Sequence, residues 1–154
     1  MKIAIVAIGR LARSPETELV KLYAERATNA GRALGLGPVE VIEVESRKPG
    51  KAAEAEALKS HLSDAHVIAC DEHGAARPSR AFSDEIAALR DRGVRRLVFL
   101  IGGADGFDPA LLAAANGKLA FGPQTWPHAL ARAMLAEQVY RAVSILAGSP
   151  YHRD

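Results

Sequence analysis

The stretch Leu97-Val98-Phe99-Leu100-Ile101-Gly102-Gly103 decides how the chain is read. Its unbroken apolar run offers no polar face, which is the pattern of a parallel strand covered on both sides. The glycine pair then stops it. Working outward, the flanking segments alternate in kind. Lys2 to Ile8 is short, apolar and rich in β-branched residues, and suits another buried strand. Ser14-Pro15-Glu16 supplies a capping hydroxyl, a proline for the first helical position and an acidic first turn, and predicts a helix to about Leu34, stopped by Gly35 and Gly37-Pro38. Val39 to Val44 alternates apolar and acidic residues as a second strand, and Lys51 to Leu62 is an alanine-rich helix. Val67-Ile68-Ala69-Cys70 is a third apolar run, expected to end at Asp71. Ser79 or Ser83 is a candidate cap for the next helix, which ends near Arg92 with Gly93 as its left-handed stop. Asp108-Pro109 opens a further helix, Lys118 to Phe121 predicts the last strand, and His128 to Leu146 the last helix, with an apolar stripe of Leu135, Val139, Ala142 and Leu146. Strands alternating with helices through short connections predict an α/β fold with a mainly parallel sheet flanked by helices. The 154 residues fit a single domain spanning 1–154, without repeats or a linker.

Composition excludes several classes. Apolar residues make up 49% and charged residues 25%, an ordinary globular balance with no low-complexity segment. No run approaches the roughly twenty apolar residues of a membrane span, and the apolar start is too short for a signal peptide, so a cytoplasmic protein is expected. Cys70 is the only cysteine, which leaves no intrachain disulfide and no cysteine cluster for a metal. A formal net charge of +2 identifies no nucleic-acid binder by itself. Arginine nonetheless outnumbers lysine 14 to 6, collecting at Arg10 and Arg13, at Arg47-Lys48-Pro49-Gly50-Lys51, at Arg77 and Arg80, and around Arg132, Arg141 and Arg153. Arginine's planar fork suits phosphates and base edges, so these clusters are candidate RNA contacts or simply a solvated surface.

Three segments carry candidate chemistry. Gly102-Gly103-x-x-Gly106 follows a buried strand, where parallel sheets place ligand sites and glycine lets a ligand approach the backbone. Its spacing is neither the dinucleotide fingerprint nor a P-loop, and on residues alone it is either a tight turn or a ligand loop. Phe121-Gly122-Pro123-Gln124-Thr125-Trp126 separates the last strand from the last helix; its backbone groups can read an adenine edge or a methionine portion, or merely cap the helix. His128 follows at the helix start, Arg132 one turn on, and Glu137 and Arg141 are spaced as an ion pair. Tyr151-His152-Arg153 brings a ring, an imidazole and a guanidinium together in a tail that otherwise has every reason to fray. The three supply stacking, proton transfer and phosphate binding.

In this order the glycine loop, the Thr125-Trp126-Pro127-His128 segment and the Pro150-Tyr151-His152-Arg153 tail resemble the SPOUT-type ribosomal RNA methyltransferases that modify N3 of a pseudouridine in bacterial 23S rRNA. The resemblance spans the chain and is densest from Leu100 onward. It implies a SPOUT-type α/β knot, in which the C-terminal segment threads a preceding loop as a trefoil, an exception to the usual ban on threading. It implies methyl transfer from S-adenosyl-L-methionine to the assembled ribosome, no metal, and a homodimer in which one subunit binds the cofactor while its partner helps place the RNA. Cofactor contacts fall to Cys70, Gly102, Gly103 and Phe121, Gly122, Pro123, Gln124, Thr125 and Trp126, with Cys70 packing as a small hydrophobe against adenine. Phe121, Gly122 and Pro123 depart from the serine- or leucine-rich version that some relatives carry, which backbone contacts tolerate better than side-chain contacts. Tyr151, His152 and Arg153 become the catalytic tail: His152 assists loss of the imide proton and Arg153 stabilises negative charge. The competing reading is a non-catalytic α/β module that binds a nucleotide or the ribosome; it leaves that tail without a task.

Overall fold

In the computed structural model, which describes residues 1–153, five parallel strands form one sheet in the order β2-β1-β4-β3-β5. The strands are β1 (Lys2–Ile8), β2 (Val39–Val44), β3 (His66–Ala76), β4 (Arg96–Ile101) and β5 (Gly117–Ala120). The helices are α1 (Pro15–Gly31), continued by a short 3-10 turn at Arg32–Leu34, α2 (Lys51–Lys59), α3 (Ser79–Asp91), α4 (Pro109–Ala114) and α5 (His128–Leu146). The Leu97–Ile101 run lies in β4, flanked by β1 and β3, and Leu97, Val98, Phe99 and Leu100 are fully buried.

Alternate residues of each strand feed two cores, because successive side chains point to opposite faces. On one face Ile3, Ile5, Ile68, Leu97 and Phe99 pack with Val20 of α1, Phe82 and Ile86 of α3, and Leu135 and Val139 of α5. On the other, Ala4, Val6, Ala69, Val98 and Leu100 pack with Leu58 of α2, Phe107, and Leu111 and Leu112 of α4. The chain therefore leaves β1 and β3 toward one face and leaves β4, which lies between them, toward the other. Connections that part in this way open a crevice beyond the carboxyl ends of the strands.

Local sequence accounts for most boundaries. Ser14 caps α1 through Thr17 N, Asp108 caps α4 through the amides of Ala110 and Leu111, and Gly93 takes the positive φ that ends α3. Two expectations differ. Neither Ser79 nor Ser83 caps α3: Pro78 stands at that position without a side-chain bond, Ser79 donates to Gln138 Oε1 at 2.9 Å, and the buried Ser83 donates to Ala142 O at 3.0 Å. Both hydroxyls stitch α3 to α5 instead. Nor does β3 end at Asp71. Cys70 and Ala75 both pair with Leu119, so residues 71–74 form an excursion after which the strand resumes. Gly74 makes this possible, since a Cβ there would lie 2.7 Å from the backbone of Leu119. The polar run read as a stop is a bulge.

Candidate functional site

The crevice holds a cleft of about 260 Å³ built from three segments: Cys70 to Glu72 at the β3 excursion, Ile101 to Phe107 at the end of β4, and Leu119 to Trp126 at the end of β5, with His128 and Ala131 of α5 closing it. Of the predicted cofactor residues, Cys70, Gly102, Gly103, Phe121, Gly122, Gln124, Thr125 and Trp126 line it together; Pro123 lies in the same loop without lining it. Trp126 Nε1 donates to Phe121 O at 3.3 Å and Thr125 Oγ1 to Glu72 Oε2 at 3.3 Å, so the loop closes on itself and on the β3 excursion.

The glycine loop is both a structural turn and a cleft wall. Gly106 N donates to Gly103 O at 3.0 Å, and Gly106 has φ +77°. A Cβ on Gly102 would meet the Phe107 ring at 3.3 Å, and one on Gly103 would meet the Glu54 carboxylate of α2 at 2.6 Å. A side chain at Gly102 would press on the Phe107 ring, whereas one at Gly103 would displace only the flexible end of Glu54, so packing behind the loop constrains Gly102 more than Gly103.

Three acidic residues that the motifs did not single out, Asp71, Glu72 and Asp105, line the same cleft. Their signal was positional: each follows an apolar run, Val67 to Cys70 or Leu97 to Ile101. The floor is apolar, with Cys70, Ile101, Leu119 and Ala120. Burial pushes the Cys70 thiol up to about 12, which makes it a neutral hydrophobe rather than a nucleophile. An adenine face suits such a floor, and a cationic sulfonium and ammonium suit the acidic mouth, so the donor set fits S-adenosyl-L-methionine.

The tail lies elsewhere. The Tyr151 ring packs against Tyr140 of α5 at 4.6 Å between centroids, Arg141 sits 4.9 Å above it, and its hydroxyl donates to Glu137 Oε1 at 3.0 Å. The same carboxylate oxygen accepts from Arg141 Nε and Nη2, and Arg141 Nη1 lies 3.2 Å from His152 Nδ1. Burial, with help from Tyr23 and Glu137, holds the Tyr151 phenol above its usual range, and the Glu137 bond does the same for Arg141. A guanidinium only donates, so Nδ1 is the acceptor in this contact. Arg153 is exposed. None of the three tail residues lines the cleft of its own chain.

Arg132 also departs from expectation. Counted among the surface arginines, it is 2% exposed. Its Nη1 donates to Glu43 Oε1 at 2.9 Å and its Nη2 to the carbonyls of Ile8 and Gly9 at 2.6 and 2.7 Å. Desolvation lowers its basicity and Glu43 restores part of it. It fastens α5 to the carboxyl end of β1 and cannot touch RNA.

The fold is that of a SPOUT methyltransferase: the family described as "Predicted SPOUT methyltransferase" matches residues 1–152, and the chain belongs to it. A protein of Phenylobacterium zucineum (strain HLK1) named ribosomal RNA large subunit methyltransferase H is 90% identical over 154 residues, covering all of both chains. Its namesake from Caulobacter sp. (strain K31) is 70% identical, again covering all of both chains. Among solved structures, the SpoU methyltransferase AviRb from Streptomyces viridochromogenes in complex with AdoMet aligns with 96% of this chain and 59% of its own, at 15% identity and a TM-score of 0.44.

Proposed function

We propose that this protein transfers the methyl group of S-adenosyl-L-methionine to N3 of a pseudouridine in 23S rRNA, with the assembled ribosome as substrate. The observation that carries this is the cleft at the carboxyl ends of β3, β4 and β5, acidic at its mouth and apolar at its floor, in a chain of the SPOUT family. The names borne by its relatives supply the RNA class. On this reading the Phe121–Trp126 loop and α5 form the trefoil knot around the cofactor. When bound, S-adenosyl-L-methionine supplies an already activated methyl, so the protein has to align that carbon with N3 and ease loss of the imide proton.

The tail is the proposed source of that assistance, reaching the cleft from a second copy of the chain. The apolar groove between α1 and α5, of about 550 Å³ and lined by Leu19, Tyr23, Leu130 and Met134, is the proposed seat of the homodimer. It shares Leu119, Ala120, Phe121 and Gly122 with the cleft, so a copy docked there abuts the cofactor loop. On this reading His152, whose Nδ1 faces Arg141, donates from its other ring nitrogen to an imide oxygen as negative charge develops, with Arg153 adding positive charge. The N3 proton leaves to solvent.

Methyl transfer from tritium-labelled donor to ribosomes and to separated subunits lacking the modification, followed by nucleoside analysis, tests donor, substrate and product together. Label in 3-methylpseudouridine is the expected result. Calorimetric binding of the donor without any transfer would instead support a non-catalytic binding module.

A further inference from the structure

The surface beyond the carboxyl ends of the strands divides by charge. Around the cleft, at the β3 excursion and the loop after β4, it is acidic, with Asp71, Glu72 and Asp105, while Arg77 and Arg80 follow the resumed end of β3. Over β1 and β2 the loops carry Arg10 and Arg13, then Arg47, Lys48 and Lys51, all exposed. Strand register sets the two halves side by side. Ala7 pairs with Ile101, itself in the cleft wall, and Ile8 pairs with Val44, so the loops after β2, β1 and β4 emerge at successive strand spacings of about 4.8 Å.

The basic half is held in shape. Arg132 binds the carbonyls of Ile8 and Gly9, Glu43 accepts from Leu11 N at 2.9 Å, and Thr17 Oγ1 donates to Ala12 O at 2.8 Å. Arg10 and Arg13 therefore stand on a fixed backbone. The acids nearby oppose them little: Glu43 is engaged by Arg132 and Leu11, and Glu45 lies 3.6 Å from Arg10 in an exposed pair of the kind worth little. Other arginines are committed elsewhere, Arg141 to Glu137 and Arg77 to Glu85 at 3.3 Å.

We propose that this half of the edge is the track for the RNA backbone, with Arg10 and Arg13 binding phosphates beside the cleft and Arg47, Lys48 and Lys51 continuing the line away from it. The inference rests on the functional reading above and adds the direction from which the target nucleotide enters. A cationic donor in the acidic half and a polyanion on the basic half reach adjoining sites without competing.

The test compares Arg10→Ala/Arg13→Ala and Arg47→Ala/Lys48→Ala with Arg92→Ala/Arg95→Ala, which removes the same charge from exposed positions at the opposite, amino edge of the sheet. Methyl transfer to ribosomes is measured from low to moderate salt. Each track variant should raise the ribosome KM roughly tenfold at moderate salt and flatten the slope of log KM against log salt by about 1.5, as expected when two phosphate contacts are lost. The KM for the methyl donor should stay unchanged, and the amino-edge variant should behave as the unmodified protein. Equal effects of the amino-edge and track variants overturn the proposal, and so does unchanged salt dependence in the track variants. Equal weakening of polyglutamate and 23S rRNA hairpin binding would make the surface a general anion patch and likewise overturn it. If the unmodified protein transfers no methyl to any ribosomal RNA, the functional reading itself has failed and the track proposal, which rests on it, falls with it.

Discussion

Arg132 shows how much a single side chain organises here. It donates to Glu43, Ile8 O and Gly9 O from a buried position, so truncation leaves two carbonyls without their donor and the exposed Glu43 carboxylate with Leu11 N alone. Arg132→Ala should cost about 3 kcal/mol in chemical denaturation. Glu43→Gln, which keeps an oxygen for Leu11 N and Arg132, should cost only about 1 kcal/mol. Cys70 gives a prediction with a pH sign. Its thiol ionises near 12 when folded against an ordinary value of 9.0, so below pH 9 both states hold the proton and stability is unaffected. As the pH rises from 9 toward 12 the unfolded chain loses its proton first, and stability falls; Cys70→Ala should remove this fall in melting curves. Alkylation at pH 8 should be far slower in the folded protein than in denaturant. At His152 the two roles separate by substitution. His152→Gln, which keeps an N–H donor, should retain clearly more turnover than His152→Ala if the ring donates. Equal loss in both, recovered at higher pH, would make the ring the proton acceptor.

At the scale of elements, the β3 excursion and the tail are the parts whose form depends on one contact each. Gly74→Ala places a Cβ against the backbone of Leu119 and Lys118, and should cost roughly 2 kcal/mol or more while weakening donor binding, because the excursion carries Asp71 and Glu72 into the cleft. Calorimetry with S-adenosyl-L-methionine on the folded fraction checks the second effect. Removal of residues 151–154 deletes the Tyr151 contacts, and none of residues 151–153 belongs to the buried core, so donor binding should persist and methyl transfer should vanish. The elements themselves were legible where periodicity is strong: α5 from His128 to Leu146, β2 and the first strand stand where the apolar pattern puts them. The β3 extension was hidden because a bulge of Asp71, Glu72, His73 and Gly74 has the composition of a loop.

For the molecule as a whole, what stayed hidden in the sequence was long-range. Nothing local distinguishes Arg132 from a surface arginine, since its partners lie in β1 and β2, and nothing local shows Tyr151 seated on Tyr140 rather than frayed. The cleft was more legible, because glycines and irregular segments directly after apolar strands must gather at one edge of a parallel sheet. The apolar groove between α1 and α5 makes a prediction at this scale. Leu130→Glu together with Leu19→Glu should convert the proposed dimer to monomer in analytical ultracentrifugation and abolish transfer while leaving the secondary structure intact.

One rod, α5, begins at the cleft with His128 and carries the tail's anchor at Arg141, thirteen residues and about 20 Å further along its axis. A rigid helix cannot fold back on itself, so within one chain the donor pocket and the tail are held apart. Defects at the two ends should then complement one another. A subunit crippled in the cleft by Gly103→Leu and one lacking its tail, each inactive alone, should regain activity when unfolded and refolded together. Random pairing puts one intact pocket-and-tail combination in each mixed dimer, which predicts about a quarter of the unmodified rate. Silence of the mixture would mean that each chain must bring its own tail to its own pocket.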